Sequence, residues 1–257
     1  MGRAEGIAEI VLTLSGGPIE LSLVLPAYNE VVRLPPSLEA IRKYLDLAGR
    51  PYEVLVVDDG SSDGTRRMVE QVMADWPQLQ LIVFDRNEGK GAAVRAGMLQ
   101  AVGQLRLFSD ADLSTPISEM GKLETAIGKG AGVAIGSRAL PESQVELHQP
   151  LYRELMGKTY NQALRRLVLP GLRDTQCGFK MFTAAAAQSC FAPLRTPGFG
   201  FDAEVLLRAR LQAIPIAEVP VIWRNAVGTR VSSFRDGGLM LADLLRLRRR
   251  VGSDPTA

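Results

Sequence analysis

The chain has 257 residues, of which 46% are hydrophobic and 23% charged, a composition typical of a globular protein with one large domain. Its net charge of +2 argues against a nucleic-acid binder, and its two cysteines and one histidine argue against a zinc site or a disulfide scaffold. No run reaches about 18 apolar residues, and residues 1–20 lack a signal-peptide core. We therefore expect a cytoplasmic protein that is neither secreted nor membrane-spanning.

Strand and helix patterns alternate over the first 135 residues. Short apolar or β-branched runs predict strands at 21–25 (closed by a proline), 52–57, 79–84, 105–108 and 132–135. Apolar residues at helical spacing predict helices at 34–48, 65–76 and 90–101. This alternation predicts an α/β fold with a mostly parallel sheet and helices on both faces.

The second half of the chain is less regular. Its patterns predict amphipathic or basic helices at 151–169, 204–212 and 239–250, and a late strand at 218–223. Residues 224–250 contain seven arginines and two aspartates, a local charge of +5 that suits a phosphate or an acidic membrane surface. The helices at 151–169 and 239–250 either lie on a membrane surface or pack on the domain.

Polar clusters follow four successive predicted strands, at 28–30, 58–63, 85–87 and 110–114. In open α/β sheets, ligands bind outside the carboxyl ends of the strands. Four such clusters in a row therefore favour one ligand site along that edge over four unrelated turns.

Asp110 and Asp112 form the most informative of these clusters. Two carboxylates at a strand end can converge on a divalent cation, which also takes oxygens from substrate phosphates. A lone pair of this kind is often only a turn. With the other clusters beside it, the pair predicts a metal-dependent enzyme acting on a nucleotide-linked substrate.

The clusters together resemble the family 2 glycosyltransferases, which have the GT-A fold. The resemblance is carried by four motifs: Pro-Ala-Tyr-Asn-Glu at 26–30, Val-Asp-Asp-Gly-Ser-Ser-Asp-Gly-Thr at 57–65, Asn-Glu-Gly-Lys-Gly at 87–91, and Asp-Ala-Asp at 110–112. It covers roughly residues 20–236. We therefore expect an N-terminal extension at 1–19, a GT-A domain at 20–236, and a basic amphipathic helix and tail at 237–257.

Further motifs resemble the branch of that family that glycosylates dolichyl or polyprenyl phosphate. They are Gly-Ser-Arg at 136–138, Asp-Thr-Gln-Cys-Gly-Phe-Lys at 174–180, the glycine- and acid-rich segment 198–204, and Val-Pro-Val-Ile-Trp at 219–223. Mannosyl members tend to have Gln two residues after the second Asp, where this chain has Ser114. Ser114 and Trp223 resemble the dolichyl-phosphate β-glucosyltransferases, whose donor is UDP-glucose.

The resemblance implies a set of donor and metal contacts. Tyr28 and Glu30 are expected to hold the base and ribose, Asp58 or Asp59 the uracil N–H, and Asp112 with Asp110 an Mg²⁺ or Mn²⁺ ion at the diphosphate. Lys90 lies between two glycines at a predicted helix start, where an anion is favoured. The full predicted donor set is Pro26, Ala27, Tyr28, Glu30, Asp58, Asp59, Lys90, Asp110, Ala111, Asp112, Gln176 and Arg230.

The expected acceptor is a lipid phosphate, which is largely ionised at neutral pH and needs no general base. A lipid acceptor also favours a protein that is peripheral on the cytoplasmic face of the membrane. Arg138 is the first candidate for the acceptor phosphate, and Arg153 is the second. If the acceptor is instead a hydroxyl, Asp202 or Glu204 is the best candidate base. The alternatives are a GDP-mannose-dependent mannosyltransferase, a transferase acting on a sugar hydroxyl, and an inactive sugar-nucleotide-binding module.

Overall fold

The computed structural model describes residues 18–146 and 168–224. Within them, six helices and nine strands follow one another. The strands are β1 Leu21–Ala27, β2 Tyr52–Asp58, β3 Leu79–Val83, β4 Leu105–Ser109, β5 Val133–Ser137, β6 Gln144–Val145, β7 Phe179–Thr183, β8 Ile216–Pro220 and β9 Ile222–Trp223. The helices are α1 Leu34–Ala48, α2 Thr65–Met73, α3 Lys90–Gln100, α4 Met120–Gly128, α5 Ala184–Phe191 and α6 Phe201–Leu211.

Seven strands form one sheet in the order β3-β2-β1-β4-β7-β5-β8. Every neighbouring pair is parallel except those of β7, which runs antiparallel to both β4 and β5. A separate parallel pair, β6 and β9, lies outside this sheet. The mostly parallel sheet predicted from the sequence is confirmed.

Helices cover both faces of the sheet, as expected. Alternate residues of β1 point to opposite faces, so Leu23 packs with α1, α2 and α4, whereas Val24 packs with α3, α5 and α6. Both layers are closed by fully buried apolar side chains. This arrangement leaves the carboxyl ends of β1, β2 and β4 on one edge, where the polar clusters were predicted to meet.

Several predicted boundaries of strands and helices differ from those in the structure. Strand β1 does not end at Pro26 but continues to Ala27. Strand β4 pairs with β1 only as far as Val24, so the missing N–H of Pro26 removes no hydrogen bond to β4. The strand predicted at 218–223 is two strands, β8 and β9, broken after Pro220. Helix α2 ends at Met73 rather than at 76.

The central strand β7 and helix α5 were not predicted at all. Residues 179 and 180 were interpreted only as the end of the motif at 174–180, and residues 181–183 were given no element. The alanine-rich run that follows has no strong helical periodicity. Most of the helix predicted at 151–169, and all of that at 239–250, lies outside the described residues. None of the helices the structure describes is long and apolar enough to cross a membrane. The domain boundaries at 19 and 236 stay predictions.

Candidate active site

A cleft of about 520 Å³ opens at the carboxyl ends of β1, β2 and β4. Nine of the predicted donor residues line it: Pro26, Ala27, Tyr28, Glu30, Asp59, Lys90, Asp110, Ala111 and Asp112. The structure thus brings together side chains that are up to 86 positions apart in the sequence.

Asp110 sits on the turn after β4 and faces the cleft. Its backbone N–H donates to the carbonyl oxygen of Gly178 at 3.0 Å, and its carboxylate pairs with the Lys90 ammonium. A Cβ on residue 178 would lie 2.1 Å from Asp110 Oδ2. Any other residue at 178 would therefore require the Asp110 carboxylate to move, so this glycine allows the carboxylate to stand where it does.

Asp112 is oriented by Ser114, the residue found where mannosyl members tend to have Gln. The Ser114 N–H and hydroxyl donate to Asp112 Oδ1 at 3.1 and 2.9 Å. The other oxygen, Oδ2, lies 3.6 Å from Arg33 Nη1. Arg33 Nε also donates to Glu30 Oε2 at 2.7 Å, so this arginine bridges the loops after β1 and β4 across the cleft.

The glycine-rich loop before α3 is held by Asp59. Its carboxylate accepts from the backbone N–H of Glu88 at 2.7 Å and of Gly89 at 2.9 Å. Gly89 has φ +103°, a conformation that other residues rarely adopt. Burial raises the pKa of Asp59, and the two hydrogen bonds act in the opposite direction. The loop in turn places Lys90 beside Asp110.

Lys90 stays charged in this position. Burial lowers the pKa of its ammonium, but the nearby carboxylates of Asp110 and Asp202 outweigh that effect, so the pKa is raised overall. A fixed cation beside two acidic side chains at the rim of a cleft is suited to an anionic ligand.

Asp58 is placed differently from its neighbour. It is buried outside the lining of the cleft, and its Oδ1 accepts from the Ser61 N–H at 3.1 Å. Its predicted contact with a uracil base stays a prediction.

Arg138 stands at the end of β5 in a buried ion pair. Its Nε and Nη2 donate to the two carboxylate oxygens of Asp174 at 2.6 and 2.9 Å, and its guanidinium lies over the Trp223 ring at 5.4 Å. Burial acts to raise the pKa of Asp174, but the Arg138 cation outweighs it and lowers that pKa to about 2. The Asp174 carboxylate in turn raises the pKa of Arg138. Neither residue lines the cleft, but Arg138 is close enough to Asp110 for that carboxylate to contribute to its raised pKa.

Gln176 lies beside the Arg138–Asp174 pair. Its backbone N–H donates to Asp174 Oδ1 at 3.1 Å. Its side-chain Nε2 is buried and has no hydrogen-bond acceptor among the residues the structure describes. A buried amide donor without an acceptor costs free energy unless a ligand oxygen completes it.

The two candidate bases, Asp202 and Glu204, lie in the first turn of α6. Asp202 Oδ1 is 2.5 Å from the ammonium of Lys180, and both side chains are buried. Glu204 accepts from the backbone N–H groups of Arg195 and Thr196 and from the Arg208 guanidinium. Both carboxylates are therefore engaged within the protein.

The sequence model of the family described as glycosyl transferase family 2 matches residues 22–191. The chain belongs to this glycosyltransferase family. Similar relatives are the dolichyl-phosphate β-glucosyltransferases of Dictyostelium discoideum, Homo sapiens and Saccharomyces cerevisiae, each 34% identical. These matches cover 90%, 96% and 90% of this chain and 74%, 81% and 74% of the relatives.

Solved structures of glucosyl-3-phosphoglycerate synthase from Mycobacterium tuberculosis share the fold of this glycosyltransferase. The complex with Mn²⁺, UDP and phosphoglyceric acid is 20% identical, with a TM-score of 0.67 over 92% of this chain and 80% of that one. A complex with Mn²⁺, UDP-glucose and phosphoglyceric acid gives 0.66 at 21% identity, over 92% and 82%. The predicted GT-A fold is confirmed.

Five lining residues of the glycosyltransferase cleft were not in the predicted donor set: Arg33, Asn87, Gly89, Ala93 and Phe199. Asn87 and Phe199 belong to motifs that had been noted without a role. Arg33 follows Glu30 by three residues at the start of a helix, a spacing that favours an ion pair and was the available signal. Arg153 and Arg230 lie outside the described residues, so their roles stay predictions.

Proposed function

We propose that this glycosyltransferase moves glucose from UDP-glucose to a polyprenyl or dolichyl phosphate, with inversion, to give a lipid-phosphate-linked β-glucose. The names of its 34%-identical relatives support the acceptor and the sugar. The UDP-glucose complex of the structural neighbour supports the donor. The cleft supplies an aromatic side chain, Tyr28, and paired acids and cations where a nucleotide diphosphate is to be held.

A divalent cation, Mg²⁺ or Mn²⁺, fits the site. Asp110 and Asp112 offer only oxygen ligands, and their side chains are 33% and 18% exposed to the cleft. No group of three or more metal-ligating side chains occurs among the described residues, so diphosphate oxygens would complete the coordination. When bound, such an ion stabilises the charge of the UDP leaving group. Arg33 and Lys90 place further positive charge beside the same two acids.

The observation that carries the choice of acceptor is the Asp202–Lys180 pair. A hydroxyl acceptor requires a general base that can reach and remove its proton. Here the candidate carboxylate is buried 2.5 Å from a lysine ammonium, and Glu204 is tied to three groups of its own domain. A phosphate acceptor needs no such base because it is already ionised near neutral pH.

Arg138 and Gln176 would serve the anionic acceptor and the sugar. Arg138 keeps part of its surface exposed at the ion pair with Asp174, so its charge remains available to a phosphate that approaches from the cleft. The Nε2 of Gln176, which has no acceptor among residues 18–146 and 168–224, is a donor for a glucose hydroxyl or a phosphate oxygen. A lipid acceptor also implies work at a membrane surface, to which the basic segment 239–250 is suited.

A donor and acceptor screen tests the proposal. The full chain is incubated with radiolabelled UDP-glucose or GDP-mannose, with and without a polyprenyl phosphate, in Mg²⁺ or Mn²⁺. We expect lipid-linked label from UDP-glucose only when the phosphate acceptor and a divalent ion are present. Label from GDP-mannose alone would contradict the donor assignment, and transfer to a free sugar hydroxyl instead would contradict the acceptor assignment.

A further inference from the structure

Helix α1 carries a second apolar stripe beside the one it buries. Its core stripe is Leu34, Leu38, Ile41 and Leu45. The adjacent face, which is polar in an ordinary surface helix, contains Pro36, Ala40, Tyr44 and Leu47 and is preceded by Val32. Val32 and Leu47 are 81% and 80% exposed, more than any other large apolar side chain among the described residues. A contiguous exposed apolar surface of this kind marks a binding site.

The stripe is one wall of a groove of about 700 Å³. The opposite wall is formed by Leu113, Pro116 and Ile117, from the segment that follows the Asp-Ala-Asp turn. From Arg33 to Leu47 the helix rises about 21 Å. The groove is therefore long and lined mostly by apolar residues, which suits an extended hydrocarbon chain.

One end of the groove borders the active site. Arg33 and Asp112, an ion pair with its charged atoms 3.6 Å apart, line both the groove and the donor cleft. This pair therefore forms the boundary between the groove and the place where a metal-bound diphosphate would stand. A ligand that runs along α1 has its head group at Asp112 and its far end near Leu47.

Three of the four charged lining residues, Arg33, Asp112 and Arg224, stand at that same end, whereas Lys43 lies near the far end, one helical turn before Leu47. Arg224 lines the groove and donates its backbone N–H to the Ser114 carbonyl oxygen at 2.7 Å. The Arg138 guanidinium lies over the ring of Trp223, the residue before Arg224. A path from Arg138 past Trp223 and Arg224 therefore joins the proposed phosphate position to the apolar groove. This charge distribution complements an anionic head group with a long apolar tail.

We infer that this groove binds the isoprenoid tail of the lipid-phosphate acceptor along α1. The inference rests on the proposed function and adds a binding site to it. The tail lies between the exposed stripe of α1 and the Leu113–Ile117 wall, and its phosphate reaches the glucose at the Asp112 end. The length of tail in contact with the groove then contributes directly to acceptor affinity, since each buried methylene adds apolar contact.

The test compares acceptors with short and long tails in detergent solution. Ala40→Trp fills the groove, and Leu47→Asp places a charge at its far end. Neither residue contacts the donor cleft. The control is Leu211→Asp, an exposed apolar residue on α6 outside the groove. For each variant, KM is measured for citronellyl phosphate, for the longer phytanyl phosphate, and for UDP-glucose.

We expect both groove variants to raise the KM for phytanyl phosphate about tenfold or more, with little change for citronellyl phosphate or UDP-glucose. The Leu211→Asp control should match the wild type with all three. Equal changes for the two acceptors, or none, would overturn the groove assignment while leaving the proposed function intact. Variants that lose only their binding to anionic lipid vesicles would identify the stripe as a membrane contact and would also overturn it.

A second measurement does not depend on turnover. Phytanyl phosphate bearing a diazirine at the tail end is photolysed with the full chain, and the labelled peptides are sequenced. Label in the α1 peptide around Leu47, lost in Ala40→Trp, is expected; label elsewhere overturns the inference. A wild type that glucosylates neither phosphate would instead overturn the proposed function, whatever the labelling pattern.

Discussion

The two halves of the sheet use charge in different ways. At the ends of β1, β2 and β4, Asp110, Asp112 and Lys90 stay partly exposed and line an open cleft. Around β5 and β7, the pairs Arg138–Asp174 and Lys180–Asp202 are largely buried. The first half presents ligand-binding groups. The second pairs its charges internally, which is the arrangement expected if the acceptor is already ionised, as proposed.

The largest expected effect lies in the open half. Asp112→Ala should lower the transfer rate at least about a thousandfold, because the leaving diphosphate loses a carboxylate that would hold its metal ion. Steady-state transfer of label from UDP-glucose to polyprenyl phosphate measures this. The exposed Asp75→Asn should leave the rate unchanged, and an Asp112→Ala variant that keeps most of its activity would remove this carboxylate from the mechanism.

The buried half should respond in stability instead. Lys180→Met leaves the Asp202 carboxylate buried without its partner and should lower the free energy of unfolding by about 3–5 kcal/mol. Urea denaturation checks this, with Lys129→Met on the surface as the control. The double variant Lys180→Met/Asp202→Leu should recover most of the loss. A Lys180→Met variant as stable as the wild type would show that the Lys180–Asp202 ion pair does not stabilise the fold.

Gly178 connects the two halves, because it lies just before β7 and touches Asp110. Gly178→Ala should cost about a hundredfold in transfer rate, since the new Cβ displaces the Asp110 carboxylate from its position. Gly121→Ala, where nothing lies within 4 Å of the added Cβ, is the matched control. Equal activity of the two variants would show that the position of Asp110 is unimportant.

The Arg138–Asp174 pair predicts a smaller, pH-dependent effect. The pKa of Asp174 is lowered from 3.8 to about 2, so its ionised form stabilises the fold above pH 4. That contribution, about 2 kcal/mol by linkage, is lost as the pH falls towards 2. Asp174→Asn should therefore be less stable than the wild type at pH 6, and the difference should shrink on acidification. If the difference in unfolding free energy between Asp174→Asn and the wild type does not change with pH, the lowered pKa of Asp174 is not its cause.

The open half could be predicted well from the sequence. Parallel strands alternating with helices bring their carboxyl ends to one edge, so the motifs at 26–30, 87–91 and 110–112 converge by topology alone. Nine of the predicted donor residues line the cleft for this reason. The role of Ser114 in orienting Asp112 was not foreseen, although its spacing of two residues is typical of an Asx turn.

The buried half could not be predicted in the same way. Strand β7 lies between β4 and β5 and is antiparallel to both. The local sequence of residues 179–183 does not indicate this long-range pairing. Without that pairing, Lys180 could not be placed beside Asp202, and the ion pair of this candidate base was not predicted. Long-range ion pairs depend on tertiary packing, whereas strand-end clusters depend mainly on chain order.

The most direct test of the account measures kcat/KM for polyprenyl phosphate in the double variant Lys180→Met/Asp202→Asn. This variant lacks both the candidate base and the buried cation, so no unpaired charge remains. If the acceptor phosphate is its own nucleophile, kcat/KM should stay within about tenfold of the wild type, because no base contribution of about 10²–10⁴ is lost. A folded double variant that loses a thousandfold or more would show that Asp202 acts as a base.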